Sequence, residues 1–350
     1  MFFTSDNSSP THPKVLEAVV RANEGYAMPY GVDPIMDEVR AQIRDIFEAP
    51  DAAVYLVATG TTANVLSLAS YVQPWQTIYC HSASHIQMDE CGAPEFYTGG
   101  AKLVLLDGDD AKFSAETLKA AIETTPQGFV HSVQRGAVSI TNASEAGAIY
   151  APEEVRAISN VAKAHNLPVH MDGARFANAL VAAGCTPAEM TWKAGVDVLS
   201  FGGTKNGLMG VEAVVLFDPD KAWEFELRRK RGGHLFSKHR YLSAQMQAYL
   251  TDGLWLEMAK SANHAATRLS QGITAIPSAS LMHPTQANAV FASWPRVGHR
   301  QVRDAGSAYY FWPHDCSLDG PDDEFLSARL VCSWSTTDKD VDQFLGLIQT

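Results

Sequence analysis

Short apolar runs typical of strands alternate with amphipathic helical segments over most of this chain, and this alternation limits the fold more than any other feature. The strand candidates are residues 54–57, 77–80, 103–106, 137–141, 169–171, 197–201 and 213–217. Between them lie helical patterns, of which the clearest begin at the cap residue Asp33 and at Pro152. Strands separated by helices predict an α/β fold with a mostly parallel sheet.

The pattern changes near residue 250, where helix and short strands replace the regular alternation. A length of 350 residues also predicts about two domains, at roughly 150 residues each. We therefore expect an N-terminal segment (1–14), a large domain (15–249) and a smaller α+β C-terminal domain (250–350). The N-terminal segment has little core pattern of its own, so we expect it to pack elsewhere.

The charge balance and the cysteines restrict the partners and the compartment. With 27 Lys and Arg against 39 Asp and Glu, the net charge is −12, which disfavours nucleic acid as a partner. No signal peptide is expected at the N-terminus, and no apolar run reaches the roughly 18 residues of a membrane span. The five cysteines are widely spaced and form no CxxC, which favours free thiols and a cytoplasmic protein.

Polar residues follow three of the predicted strands. Gly60 and Thr61, Asp172, and Lys205 each lie at or just after a strand end. Parallel sheets bind ligands beyond the carboxyl ends of their strands. We therefore expect these residues to share one rim of the sheet.

Each of these features has an ordinary structural interpretation as well as a functional one. The turn TGTTAN, residues 59–64, could bind an anion through backbone N–H groups, or simply begin a helix. Asp172 could hold a protonated ring nitrogen or cap the next helix. Lys205 stands alone in a glycine-flanked loop, where desolvation favours a nucleophilic amine, although a phosphate-contacting or exposed lysine would also fit.

His81 and His85 lie four residues apart and are followed by Asp89 and Glu90, which suggests a metal site. There is no HExxH motif and no convincing third ligand, so we expect no bound metal. A planar imidazole could instead stack on an aromatic cofactor. An anion-binding turn, an acid, a lysine and such a histidine together meet the needs of pyridoxal 5'-phosphate.

At these residues the chain resembles the low-specificity L-threonine aldolases, a branch of the fold-type-I (aspartate-aminotransferase-like) pyridoxal phosphate enzymes. The resemblance extends from Ser5 to Val331, and it is strongest in TGTTAN, ECGAPEF, HMDGARFANA, GCTPAEMTWKAGVDVLSFGGTKNG and SARLVCSW. HMDGARF followed by GGTKNG is highly specific, whereas TGTTAN alone is weak. The resemblance implies the fold-type-I large domain with a mostly parallel sheet and a smaller C-terminal domain.

The resemblance also assigns roles to single residues. Lys205 would bind the cofactor aldehyde, Asp172 would pair with the pyridine nitrogen, His85 would stack on the ring, and Gly60, Thr61 and Thr204 would complete the cofactor site. Arg175 would contact the ring oxygen or the substrate carboxylate, while Arg329, Ser5 and Tyr30 would bind the substrate. Family members are usually homotetramers, so Lys230 or Lys238 of a neighbouring subunit would reach the cofactor phosphate.

The chain departs from the family pattern in two places. Many members carry Thr-His-Asn where this chain reads Asn142-Ala143-Ser144-Glu145, and that histidine is a candidate base for the substrate hydroxyl. Its absence leaves the base unassigned among His85, His131 and a bound water. The turn Tyr30-Gly31-Val32-Asp33 also lacks one of two acids common in the family. Both changes would alter which substrate side chains are accepted.

Three functional hypotheses follow. The first is a lyase that cleaves L-threonine, L-allo-threonine or phenylserine to glycine and an aldehyde. The second keeps the cofactor but changes the chemistry to another lyase reaction, racemisation or transamination. The third is a non-catalytic ligand-binding protein of the same fold.

Overall fold

A computed structural model describes residues 1–349. The helices are α1 (Pro13–Ala22), α2 (Pro34–Ile46), α3 (Gly60–Tyr71), α4 (His85–Met88), α5 (Ala93–Thr98), α6 (Ala115–Thr124), α7 (Pro152–Ala164), α8 (Phe176–Ala183), α9 (Pro187–Met190), α10 (Ala222–Arg231), α11 (Arg240–Leu250), α12 (Leu254–Thr274), α13 (Arg296–Asp304) and α14 (Asp338–Ile348). Local sequence explains the helix starts: at α2, for example, Asp33 Oδ1 accepts the backbone N–H of Met36 at 3.0 Å.

The strands of the large sheet are β1 (Ala53–Val57), β2 (Gln76–His81), β3 (Lys102–Leu106), β4 (Gln134–Thr141), β5 (Val169–Gly173), β6 (Val198–Gly202) and β7 (Glu212–Leu216). Their order is β1-β7-β6-β5-β4-β2-β3, and only β7 runs antiparallel to its neighbours. Every predicted strand is present. The structure therefore confirms the predicted α/β fold with a mostly parallel sheet.

A second, antiparallel sheet lies in the C-terminal part of the chain. It contains β8 (Ser280–Leu281), β9 (Ala289–Pro295), β10 (Tyr310–Phe311) and β11 (Phe325–Val331), in the order β10-β11-β9-β8. Helices α12 and α13 pack against this sheet, and α14 packs against both helices and contributes Phe344 to the core they share with the sheet. This core is formed by large apolar side chains such as Trp294, Phe344 and Leu330.

Two hydrophobic cores meet along helix α12. Its first turns, including Trp255 and Ala259, pack in the core of the large sheet, whereas Ala265 and Leu269 pack in the core of the small sheet. The change from one core to the other thus lies inside α12. The N-terminal segment joins the small sheet, because Phe3 is fully buried there and its carbonyl accepts the N–H of Val331 at 2.9 Å.

Between residues 1 and 349, no helix combines the length and the apolar character needed to cross a membrane.

Candidate active site

Seven of the residues singled out in the sequence line one cavity of about 270 Å³. They are Gly60, Thr61, His85, Asp172, Arg175, Thr204 and Lys205. The cavity lies at the carboxyl ends of β1, β4, β5 and β6, where the parallel strands end at the same edge of the sheet. The predicted rim is therefore one physical site.

The turn before α3 presents backbone N–H groups to this cavity. Thr59 caps the helix, and its Oγ1 accepts the N–H of Thr62 at 3.2 Å. Gly60 and Thr61 form the first turn, whose N–H groups have no partner inside the helix. A Cβ on Gly60 would meet nothing within 4 Å, so the space over this turn is open. An exposed helix N-terminus of this kind attracts an anion.

Asp172 is held as a hydrogen-bond acceptor at the end of β5. Its side chain is buried, and its Oδ1 accepts the N–H of Ala174 at 3.0 Å. Its Oδ2 accepts the Nδ2 amide of Asn64 at 2.9 Å. Donors thus fix the orientation of both oxygens of the side chain next to the cavity. Asn64 was not singled out in the sequence, although it lies one turn after Gly60 in the same motif.

His85 belongs to a hydrogen-bonded chain with Glu90 and Asn64. Its Nδ1 lies 2.8 Å from Glu90 Oε1, which also accepts the amide of Asn64 at 2.9 Å. This bond to Glu90 raises the pKa of His85, while burial raises the pKa of Glu90. The pair fixes the imidazole at the cavity wall, and Glu90 serves it as an orienting partner rather than as a metal ligand.

Close backbone approach explains the glycines before Lys205. A Cβ on Gly202 would lie 2.3 Å from the carbonyl oxygen of Ala174, and one on Gly203 would lie 2.6 Å from that of Val211. The N–H of Gly203 also donates to Glu212 Oε2 at 2.6 Å. These contacts hold the turn that carries Lys205 against the sheet.

Glu212 is a cavity residue that the sequence analysis missed. It opens β7, it is 6% exposed, and burial raises its pKa to about 7. Its position opposite Gly202 in the ladder brings it to the same edge as Lys205 because β7 runs antiparallel. The available signal was one acidic residue at the start of an otherwise apolar strand.

Arg175 forms an ion pair with Asp6, a residue near the N-terminus of the chain. Its Nε and Nη2 donate to Asp6 Oδ2 and Oδ1 at 2.7 and 3.0 Å, and Asn288 Nδ2 donates to Asp6 at 3.0 Å. The expectation for Arg175 was a contact with the ring oxygen or the substrate carboxylate. The structure shows that one edge of its guanidinium already binds a carboxylate, so only the remaining edge is available for a ligand.

We expect Asp6→Ala to lower the free energy of unfolding by about 3 kcal/mol, because it leaves the largely buried guanidinium of Arg175 without its partner. Urea denaturation measures this change. The control is Asp37→Ala, which removes an exposed ion pair with Arg40 and should cost less than about 1 kcal/mol. Equal losses in both variants would contradict the structural role of Asp6.

The same pair gives stability a pH dependence. Burial alone would raise the pKa of Asp6, but the charges of Arg175 and Lys205 and two hydrogen bonds outweigh it, and the pKa lies below its ordinary 3.8. A lowered carboxyl pKa stabilises the folded state above the ordinary value, and this stabilisation is lost as pH falls through the lower, folded-state pKa. The Asp6 contribution should therefore persist down to pH 3.8 and disappear below it.

Arg329 lies in β11, beside the cavity but not in its lining. Its guanidinium lies 5.5 Å from the ring centre of Tyr310 and 5.8 Å from that of Trp312. In the described part of the chain, its buried Nε has no hydrogen-bond partner. Burial also lowers the pKa of Arg329. An oriented but unpartnered guanidinium is suited to binding a carboxylate.

The other predicted site residues lie outside this cavity. Ser5 caps the turn 6–8 and lines a different cavity, and exposed His131 stands just before β4, at the edge of the sheet opposite the rim. Tyr30, Lys230 and Lys238 are not among the residues that line the cavity, and Lys230 Nζ lies 4.8 Å from the ring centre of Tyr30. The N–H of Tyr30 bonds to the carbonyl of residue 237, next to Lys238. The chain by itself does not bring these five residues to Lys205.

Comparisons with known proteins agree with this architecture. Residues 3–294 match the Beta-eliminating lyase family. The low specificity L-threonine aldolase of Pseudomonas sp. is 39% identical over 334 residues, which cover 95% of this chain and 93% of that protein. The structure of Leishmania major threonine aldolase has a TM-score of 0.91 at 27% identity, covering 99% of this chain and 98% of the other.

A more distant structure shows how widely the fold is shared. A variant of serine palmitoyltransferase from S. paucimobilis, with a bound pyridoxal phosphate–myriocin aldimine, has a TM-score of 0.69 at 17% identity, covering 100% of this chain and 86% of that one. The class that the fold and site define is therefore the fold-type-I pyridoxal phosphate enzymes. Within it, the chain belongs to the low specificity L-threonine aldolases of the Beta-eliminating lyase family.

Proposed function

We propose that this protein is a pyridoxal phosphate-dependent aldehyde-lyase that cleaves L-threonine, L-allo-threonine or related β-hydroxy-α-amino acids to glycine and an aldehyde. The observation that carries the proposal is the meeting of Lys205, Asp172 and the α3 turn at one cavity. The similarity to named threonine aldolases over nearly the whole chain supports the same activity.

The cavity residues fit the cofactor. The open N-terminus of α3 suits its phosphate, the oriented carboxylate of Asp172 suits its protonated ring nitrogen, and the imidazole of His85 suits its ring face. Lys205 is the amine available for its aldehyde. When bound, pyridoxal phosphate supplies an aldehyde that combines with amines and a ring that stabilises negative charge at Cα.

The residues of the chain then have distinct tasks. Arg329 binds the substrate carboxylate and so fixes the direction of the Cα–Cβ bond. Asp172 would hold the protonated ring nitrogen of the cofactor through its carboxylate. Lys205 would hold the cofactor aldehyde and would carry protons at the cavity floor. Cleavage of the Cα–Cβ bond leaves glycine and an aldehyde.

Product analysis tests the function directly. The protein is incubated with pyridoxal phosphate and L-threonine, L-allo-threonine or phenylserine, and glycine and aldehyde are quantified. We expect both products in equal amounts from at least one substrate. No glycine from any of them would refute the proposal. A keto acid would indicate elimination or transamination instead, and a D-amino acid would indicate racemisation.

Arg329→Lys should raise KM for the amino acid by about 10- to 100-fold while the visible absorption band of the bound cofactor is retained. The reason is that a lysine replaces a planar, two-pronged donor with a single point charge. Steady-state kinetics and the absorption spectrum measure the two effects. An unchanged KM would show that Arg329 does not bind the substrate carboxylate.

We also propose a homotetramer located in the cytoplasm. The cluster of Tyr30, Lys230 and Lys238 supports the assembly, since these residues lie near one another outside the cavity lining and resemble residues that reach a neighbouring site in the family. All five cysteines are unpaired, as expected in a reducing compartment. Analytical ultracentrifugation tests the assembly, and fractionation of the source cells tests the location.

A further inference from the structure

The cavity contains several groups that could accept a proton, and most of them are already engaged. Asp172 accepts two hydrogen bonds, from Asn64 and Ala174. Glu212 accepts the N–H of Gly203 and is 6% exposed. Neither carboxylate is available to a substrate hydroxyl without losing bonds that hold the site together. The group that takes the β-hydroxyl proton must therefore be sought elsewhere on the cavity wall.

Glu145 differs from Asp172 and Glu212, the other carboxylates of the cavity, which both accept hydrogen bonds that hold the site together. It lies in the turn after β4 and lines the same cavity as Lys205. Among the residues that the structure describes, no side chain forms an ion pair with it within 4.0 Å. Its negative charge acts on both Arg175 and Arg329. A substrate whose carboxylate is bound by Arg329 would therefore lie close to Glu145.

The residues before Glu145 in the turn are not suited to accept the β-hydroxyl proton of the substrate. Ser144 Oγ donates to the carbonyl of Asp110 at 2.7 Å and accepts the N–H of Ala148 at 3.2 Å. Its hydroxyl is thus used to fold the turn. Ala143 has no titratable group. Of residues 142–145, as the structure describes them, only Glu145 offers a base to the cavity.

His85 is the alternative base, and its hydrogen bonding argues against it. Its Nδ1 is bound to Glu90, and this bond stabilises the protonated imidazole, so that the pKa of His85 is raised. The Nδ1 atom is therefore not free to accept the hydroxyl proton, and Glu90 holds the ring in an orientation that suits packing beside a cofactor.

We propose that Glu145 is the catalytic residue that accepts the β-hydroxyl proton of the substrate; this inference rests on the proposed aldolase function. The O–H bond breaks and its proton moves to the Glu145 carboxylate. The oxygen electron pair forms the carbonyl bond of the aldehyde, and the Cα–Cβ bond breaks. Its electron pair stays with Cα, which takes up a proton to give glycine. Glu145 returns its proton to water after the aldehyde leaves.

The test compares two reactions of the cofactor-loaded protein. Cleavage of L-threonine or phenylserine needs a base at the β-hydroxyl, whereas exchange of the glycine α-proton with deuterated water does not, because glycine has no hydroxyl. Glu145→Gln removes the charge and keeps the shape. We expect kcat for cleavage to fall by about 10²- to 10⁴-fold, the range for loss of a general base.

Glycine provides the internal measure of an intact site. In Glu145→Gln, the dissociation constant of glycine, read from the visible absorption change, and the exchange rate should stay within about threefold of the unmodified protein. The control variant is Glu153→Gln, which removes an exposed carboxylate on α7 and should leave every measurement unchanged.

The outcomes separate this inference from the proposed function. If the unmodified protein forms no glycine from any substrate, the aldolase function is wrong. If the unmodified protein is active and Glu145→Gln cleaves at a near-normal rate, the function stands and Glu145 is not the base. If cleavage, glycine binding and exchange all fall together, Glu145 shapes the site instead of accepting the proton, and the inference is again overturned.

Discussion

Lys205→Ala should abolish turnover, with kcat reduced by more than about 10³-fold, because no other lysine lines the cavity in the described residues. The cofactor should still bind weakly through the α3 turn, Asp172 and His85, but it should wash out more readily. Borohydride reduction should attach no cofactor to the variant protein, as measured by intact mass. The fold should persist, because Lys205 lies in a turn and its removal loses little apolar burial.

Lys193→Ala is the matched control for this experiment. Lys193 lies before β6, and its Nζ contacts Glu48 at 2.6 Å. Lys205 follows the same strand at its other end, so the two lysines occupy opposite edges of the sheet. We expect normal turnover and normal borohydride attachment in the control. Near-normal activity of Lys205→Ala, or attachment of the cofactor to another lysine, would show that the proposed mechanism is wrong at its centre.

Asp172→Asn should lower kcat by about 10²- to 10⁴-fold, since a neutral amide does not stabilise a protonated ring nitrogen. The substitution also costs one of two hydrogen bonds, because Asn64 and Ala174 both donate to Asp172 and an amide has only one oxygen. Steady-state kinetics measures the first effect. Equilibrium dialysis of the cofactor measures any loss of binding separately.

Asp197→Asn is the control for Asp172→Asn. Asp197 also accepts a backbone N–H, that of Val169 at 2.7 Å, but it lies at the amino end of the neighbouring strand. The control therefore changes the same kind of carboxylate at the opposite edge of the sheet, and its kcat should remain close to that of the unmodified protein. If the two variants lose activity equally, the effect of Asp172 is structural and its role at the ring nitrogen is not supported.

The direction of β7 shows what the strand pattern leaves open. The apolar run at 213–217 predicts a strand but gives no direction. Residues 203–211 connect it to β6, and a parallel crossover needs about a dozen residues or more. A short connection of this kind produces an antiparallel neighbour, which the structure shows. This reversal brings Glu212 to the cavity, and it explains why an acidic residue at the start of that strand was overlooked.

The position of His131 follows from where it stands relative to a strand. Asp172 and Lys205 lie at the rim because they follow parallel strands, and a residue that precedes such a strand lies at the opposite edge. His131 precedes β4, so its position could have been anticipated from the sequence. Ser5 differs, since nothing local reveals that its neighbour Asp6, rather than Ser5 itself, turns toward Arg175.

The sequence by itself determined the α/β class, the strands and the set of residues suited to pyridoxal phosphate, because periodicity, glycine loops and strand ends are local patterns. Only the tertiary structure decided which polar groups are paired. Asp6 binds Arg175, which lies 169 residues away in the sequence, and Glu90 binds His85 and Asn64. Glu145 lines the cavity and has no ion-pair partner within residues 1–349. Such pairings depend on how distant segments pack, so a local sequence pattern does not reveal them. Because a buried charge is costly without a partner, each pairing determines whether a charged side chain is structural or available for chemistry.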